Sequence, residues 1–142
     1  MREVKRSALV NRTPEQVYAV IDDVGSYPQF IPWCRHATVL SRTPAEVVAT
    51  LGVQQGPVHG EFTTRNRLEP GRGIHMQLVS GPFRALEGEW RLAPIAGGGC
   101  RVELEMRFAF KSAITGVLFE SRFAETLASL VDAFVSRARG AP

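Results

Sequence analysis

From Cys100 to Phe110 every second residue is apolar. Cys100, Val102, Leu104, Met106, Phe108 and Phe110 fall on one side of an extended chain, and Arg101, Glu103, Glu105 and Arg107 on the other. A period of two predicts an antiparallel strand with one packed and one solvated face. Leu86, Gly88, Trp90 and Leu92 alternate in the same way with Glu87, Glu89 and Arg91. Val47, Ala49, Leu51 and Val53 make another row, and Ile74, Met76 and Leu78 another. After Pro57, an apolar face of Val58, Gly60, Phe62 and Leu68 is interrupted by Thr64 and Asn66. Residues 3–10 and 36–41 read as further strands with weaker patterns. The breakers Pro44, Gly56-Pro57, Pro70-Gly71, Gly81-Pro82 and Gly97-Gly98-Gly99 punctuate these segments, which predicts a meander of hairpins.

Two stretches carry helical spacing instead. Thr13 is placed to cap a helix that starts at Pro14, with Gln16 completing a capping box. Val17, Val20 and Ile21 form its apolar face, and Gly25 suits a left-handed residue after its last turn. The second helix spans about Ser112 to Arg139, with Val117, Ala124, Leu127, Val131, Phe134 and Ala138 at helical spacing. Phe119, Phe123 and Leu130 widen that stripe. Strands grouped apart from helices predict an α+β fold of about seven antiparallel strands. The long C-terminal helix is the element large enough to cover the apolar face of the sheet. With 142 residues and no linker, the chain reads as one domain, 1–142.

The stretch "DVGSYPQFIPWC", residues 23–34, fits neither pattern. It sets Tyr27, Phe30, Ile31 and Trp33 around Pro28 and Pro32. Proline fixes the backbone and removes donors, and Tyr and Trp carry a polar tip on an apolar body. Such a segment is either the lid of an apolar cavity or a plug that completes the core. The same two readings hold for the interior. Phe62, Met76, Trp90, Leu104, Met106 and Phe108, facing Phe119 and Phe123, line an elongated cavity or fill a solid core.

Charge and chemistry narrow the picture further. A net charge of +3 and a pI near 9.3 permit contact with nucleic acid or an acidic membrane without requiring it. Arg65, Arg67 and Arg72, with Arg35 as a further member, are less balanced by acids and form a candidate RNA-contact patch, with an ordinary solvated surface as the alternative. Cys34 and Cys100 belong to no C-x-x-C and read as buried thiols, with a disulfide as the alternative. His36, His59 and His75 lie in different strands with no metal-ligand spacing, so no metal site is expected. Cys34 and His36 are close in sequence, but inert packing explains them better than a nucleophile pair. No catalytic motif such as G-x-S-x-G or a P-loop and no apolar run of about 18 residues is found, and no signal peptide is expected from the first residues, which leaves a cytoplasmic protein as the default expectation.

Four stretches together carry a resemblance: "DVGSYPQFIPWC", "GPFRALEGEWRLAP", "GCRVELEMRFAFKS" and "LVDAFVSRA". They are similar to the coenzyme Q-binding START-like family, which includes the RatA-type ribosome-association toxins and proteins once labelled oligoketide cyclases. The resemblance runs from about Val4 to Ala138. It implies a helix-grip fold of the START and Bet v 1 type, a curved antiparallel sheet wrapped around the C-terminal helix. It also implies a cavity for a polyisoprenoid quinone (ubiquinone) or another lipid, held without catalysis, in support of respiratory electron transport and with peripheral contact to the inner membrane. The alternative it implies is a toxin that binds the large ribosomal subunit and blocks subunit association; a polyketide cyclase-like enzyme ranks third. On this resemblance and the inward pattern together, the expected cavity residues are Tyr27, Phe30, Trp33, Phe62, Met76, Phe83, Trp90, Leu104, Met106, Phe119, Phe123 and Leu127. No cofactor is required beyond the lipid as ligand.

Overall fold

A computed structural model describes residues 1–56 and 58–140. The chain runs β1 (Arg2–Val10), α1 (Pro14–Asp22), a 3-10 segment (Val24–Gln29), β2 (Cys34–Arg42), β3 (Glu46–Gln55), β4 (Val58–Glu69), β5 (Gly73–Ser80), β6 (Phe83–Pro94), β7 (Cys100–Phe110) and α2 (Ala113–Arg139). The strands form one seven-stranded antiparallel sheet in the order β1-β7-β6-β5-β4-β3-β2. Consecutive strands from β2 to β7 pair by hairpins, and β1 joins across the far edge of β7. The sheet curves around α2, so the expected α+β helix-grip fold is the one formed. The inward placing expected for Val58, and Pro57 as a breaker, lie outside the described side chains.

The register explains why alternation was so clear. Trp90 faces Leu104 and Ile74 across neighbouring strands, and Leu104 in turn faces Arg6. Gly88 sits between Met76 and Met106 in the same way. All of these positions lie on the side that meets α2. Val47, Val102, Phe108, Val131 and Phe134 are at most 1% exposed at the centre of the core.

α1 begins with the expected capping box. The Gln16 N–H donates to Thr13 Oγ1 at 3.1 Å, and the Thr13 N–H donates to Gln16 Oε1 at 2.9 Å. Its end differs from expectation. Gly25 has no positive φ and lies inside the 3-10 segment, so it is not a left-handed cap. Val24 and Tyr27, three residues apart, are both buried. That spacing is one turn of 3-10 helix, and it carries two apolar anchors into the core at once. The stretch from 23 to 34 therefore contains a short helix, with Pro28 inside it.

α2 is 27 residues long, about 40 Å at 1.5 Å per residue. Its apolar stripe is buried from Phe123 to Ala138. Val117, expected in that stripe, is 86% exposed. It shares an azimuth with Ala124 and Val131, but the elements that cover that side reach only the C-terminal half. β1 meets α2 through Arg6 and Asp132, and the turn after β1 meets it where Arg12 donates to the Ala138 and Arg139 carbonyls at 3.1 and 2.7 Å. A cation on these last carbonyls also suits the negative end of the helix dipole.

Gly88 shows how tightly β6 and β7 approach. A Cβ at this position would collide with Met106 Sδ and the Glu105 carbonyl. Gly88→Ala is expected to cost about 1–3 kcal/mol, the usual range for overpacking a filled core. Urea denaturation of the purified variant measures this, and a midpoint equal to that of the parent would remove the constraint.

Candidate functional site

The space between sheet and helix is divided. An inner chamber of about 60 Å³ lies under the middle of α2, and an outer chamber of about 360 Å³ lies under its first turns. Phe62 borders both and forms the partition. Its ring packs edge-on against Phe83 and Phe123 at centroid distances of 5.8 and 6.3 Å. Gly81, with φ near +146°, lets the β5–β6 turn lie directly over the Phe62 Cβ.

Most of the expected cavity residues are brought together. Tyr27, Trp33, Phe62, Met76, Trp90, Met106 and Leu127 border the inner chamber. Phe62, Phe83, Phe119 and Phe123 border the outer one. Two border neither. Leu104 is 1% exposed and packed solid in the sheet. Phe30 turns outward into a surface groove, where its ring packs on Phe134 at 5.6 Å and under the Arg137 guanidinium at 4.9 Å. Leu86, Leu130 and Phe134 also wall the inner chamber. The helical stripe contained the last two, but the pattern alone did not separate cavity wall from core.

The segment from 23 to 34 walls the inner chamber on the side away from the start of α2. Tyr27 and Trp33 are 8% and 4% exposed. The Tyr27 hydroxyl donates to the Ile21 carbonyl, and the Trp33 indole N–H donates to Ser129 Oγ at 3.3 Å. Burial, with a smaller push from the Asp22 charge, raises the Tyr27 hydroxyl well above the usual phenol range. This geometry is that of a plug pinned at both ends. The outer chamber, at the other end of the fold, is bordered by the half-buried Thr115 and Phe119 of α2 and by the exposed His59, Gly60, Glu61 and Pro82. On the outside of those helical turns Ile114, Val117 and Leu118 are 74%, 86% and 63% exposed.

Polar groups in the inner wall are few. Thr64 and Asn66 are adjacent inward positions of β4, and the Thr64 hydroxyl donates to Asn66 Oδ1 at 2.8 Å. Among the described residues, no acid, lysine, arginine, histidine or cysteine borders the inner chamber, while His59 and Glu61 border the outer one. Cys34 is buried elsewhere, and burial pushes its thiol up to about 11. Its Sγ donates to the His36 backbone carbonyl at 3.4 Å. The His36 ring lies on the other face, 3.2 Å from Glu61. Cys34 and His36 thus form no nucleophile pair, and Cys34 and Cys100 are both free thiols.

The convex face is a lattice of ion pairs. Arg91 reaches Glu89, Glu103 and Glu105 at 2.5, 3.4 and 3.0 Å, and Arg107 reaches Glu87 and Glu105 at 3.3 and 3.0 Å. The hydrogen bond from Arg91 holds the Glu105 carboxyl below the usual carboxylate range. The candidate RNA-contact arginines are less uniform than expected. Arg65 is paired with Glu46 at 3.0 Å, while Arg67 lies 3.4 Å from the His75 ring. Arg72 sits in the β4–β5 turn, in a groove with Glu15, Glu69 and Glu103. Among the described residues, no helix is long and apolar enough to cross a membrane.

This architecture, an apolar cavity under a gripped helix, is that of a START-like protein. The chain belongs to the family described as polyketide cyclase / dehydrase and lipid transport, whose model matches residues 10–135. It is 40% identical to the ribosome association toxin RatA of Vibrio cholerae, over 98% of this chain and 96% of that protein. It is 29% identical to the mitochondrial coenzyme Q-binding protein COQ10 homolog B of Xenopus laevis, over 96% of this chain and 57% of that protein. Among solved structures, the Zhui aromatase/cyclase of a Streptomyces species superposes with a TM-score of 0.86 at 20% identity, over 96% of this chain and 93% of that one. A START superfamily protein of Mycobacterium smegmatis gives 0.80, also at 20% identity, over 96% of each chain. At that identity the two structures share the fold with this chain.

Two outcomes are expected. Trp90 is 3% exposed and packs edge-on against Phe134 at 5.1 Å, so Trp90→Ala should lose about 3–5 kcal/mol in urea denaturation. A much smaller loss would mean that the ring lines open space. The Cys34 thiol is raised from 9.0 to about 11 on folding, so the folded state keeps its proton longer than the unfolded chain. Its stabilising contribution is complete below about pH 9 and is lost as pH rises towards 11. Cys34→Ala should lose less stability across that window; identical curves would refute the assignment.

Proposed function

We propose that the protein is a non-enzymatic carrier that holds the head and first units of an isoprenoid quinone, or of a similar lipid, between sheet and helix in support of respiratory electron transport. The observation that carries this reading is the divided, mostly apolar cavity, bordered at one end by the buried Tyr27 and Trp33 and at the other by Phe119 and the exposed His59, Gly60, Glu61 and Pro82. The outer chamber falls within the usual size of small-molecule sites. A long isoprenoid tail exceeds both chambers, so its remainder stays outside the protein. The exposed Ile114, Val117 and Leu118 beside the opening support contact with a membrane surface there. The inner wall offers no acid–base pair, which supports binding over polyketide cyclisation.

The test is organic extraction of the protein, purified without detergent from a quinone-producing host, followed by mass spectrometry. A near-stoichiometric quinone or lipid is the expected result. An empty protein that also fails to bind a short-chain ubiquinone would overturn the reading.

A second reading rests on the relatives named ribosome association toxin, which match nearly the whole chain. In it, Arg67 and Arg72 contact the phosphate backbone of the large ribosomal subunit and hinder subunit association, while Arg65 is held by Glu46. Replacing Arg67 and Arg72 with Ala should weaken cosedimentation with ribosomes and flatten its salt dependence by roughly one unit of slope per cation removed. Unchanged cosedimentation would count against this surface.

A further inference from the structure

The inner wall contains more hydrogen-bonding capacity than the protein uses. The Tyr27 hydroxyl is spent on Ile21 and the Trp33 N–H on Ser129. The Asn66 side chain accepts from Thr64 through Oδ1, which leaves its Nδ2 donors without a partner among the described residues. The Trp90 indole N–H, in the same wall, is likewise unpaired. Asn66 is half-buried, and its strand neighbours across β3 and β5 are Val47 and Met76. Among the described residues the sealed and unpartnered side-chain polar atom is the Tyr18 hydroxyl, so solvent reaches Asn66 Nδ2 in the empty protein, and a ligand that displaces this solvent loses free energy unless it matches those donors. The Thr64 hydroxyl, itself 8% exposed, donates to Asn66 Oδ1, and Asn66 borders the chamber.

We infer that Asn66, oriented by Thr64, selects ligands that bring a carbonyl oxygen on a ring into the inner chamber, with any apolar tail leaving past Phe62. This inference rests on the binding reading above and names the ligand chemistry within it. Asn66 lies about 13 Å beyond Phe62 along β4, at about 3.3 Å per residue. A ring that reaches Asn66 therefore displaces the Phe62 side chain and joins the two chambers. The tail then follows the outer chamber towards Phe119 and the exposed Leu118. A carbonyl accepts from Asn66 Nδ2, whereas a hydrocarbon of equal size leaves those donors buried and unpaired. Sites built to hydrogen-bond a group discriminate against analogues that lack it.

The experiment is calorimetric titration of the full chain with decylubiquinone and with decylbenzene, which keeps the tail and loses the carbonyls. The native protein should bind the quinone about tenfold tighter or more, the effect of one net hydrogen bond. Asn66→Leu should erase that preference, by weakening decylubiquinone binding and tightening that of decylbenzene, which no longer leaves amide donors unmatched. Thr64→Val, which removes only the orienting hydroxyl, should reduce the preference and serves if Asn66→Leu does not fold. Anthraquinone, with carbonyls and no tail, distinguishes a tail-less aromatic ligand from a tailed one. Tighter binding of anthraquinone that is lost in Asn66→Leu supports the carbonyl site and assigns it to the former. Equal affinity for decylubiquinone and decylbenzene in the native protein and both variants would overturn the role of Asn66 and leave an apolar binder standing. Failure of the native protein to bind any of the three would overturn both readings.

Discussion

One helix has to cover seven strands. At about 4.8 Å between strands, a flat sheet of this size is about 30 Å wide, whereas a helix with its side chains is about 10 Å across. The apolar face therefore stays wet unless the sheet curls around α2 and other groups fill the edges. Each notable feature of the molecule follows from that mismatch. Gly88 lets β6 and β7 approach closely on the inner face. Arg6 and Arg12 tie the C-terminal half of α2 to the β1 edge. Phenylalanine rings fill much of the wider end, with Phe83, Phe108, Phe110 and Phe123 in mutual contact. The space they leave is the divided cavity.

The same constraint gives the 3-10 segment its place. Val24, Tyr27, Ile31 and Trp33 occupy the end of the grip that neither sheet nor helix closes. The segment is dense in apolar surface because it acts as a third layer over a small area. Its polar tips are consumed by Ile21 and Ser129, which anchors the plug and leaves the opposite end as the route inward. There the first turns of α2 overhang the core, and their aliphatic side chains meet solvent.

Charge is segregated as sharply as shape. Arginines and glutamates of β6 and β7 neutralise one another on the convex face, where exposed pairs add little stability individually. The inner chamber is bordered by threonine, asparagine, tyrosine and tryptophan as its polar members, and among the described residues by no acid–base couple, whereas His59 and Glu61 border the outer chamber. On the binding reading proposed above, this cavity holds its guest without transforming it. What distinguishes one apolar guest from another is then the small set of donors that the protein leaves unmatched.

Alternation by itself determined β3, β6 and β7, and the Thr13–Gln16 pair determined the start of α1, because strand faces and helix caps depend on neighbours a few residues away. It also places Thr64 and Asn66 on the inner face. Tertiary structure alone decided the rest. Val117 continues a perfect helical stripe, yet it is exposed because the elements covering Ala124 and Val131 do not extend that far. Gly25 suits a left-handed cap, yet the pull of Val24 and Tyr27 on the core keeps the chain helical past it. Phe30 has the composition of a cavity residue and lies outside, under Arg137. Whether the interior is solid or divided depends on how closely the sheet wraps α2. That is a balance of side-chain volumes between segments far apart in the chain, and local patterns carry no record of it.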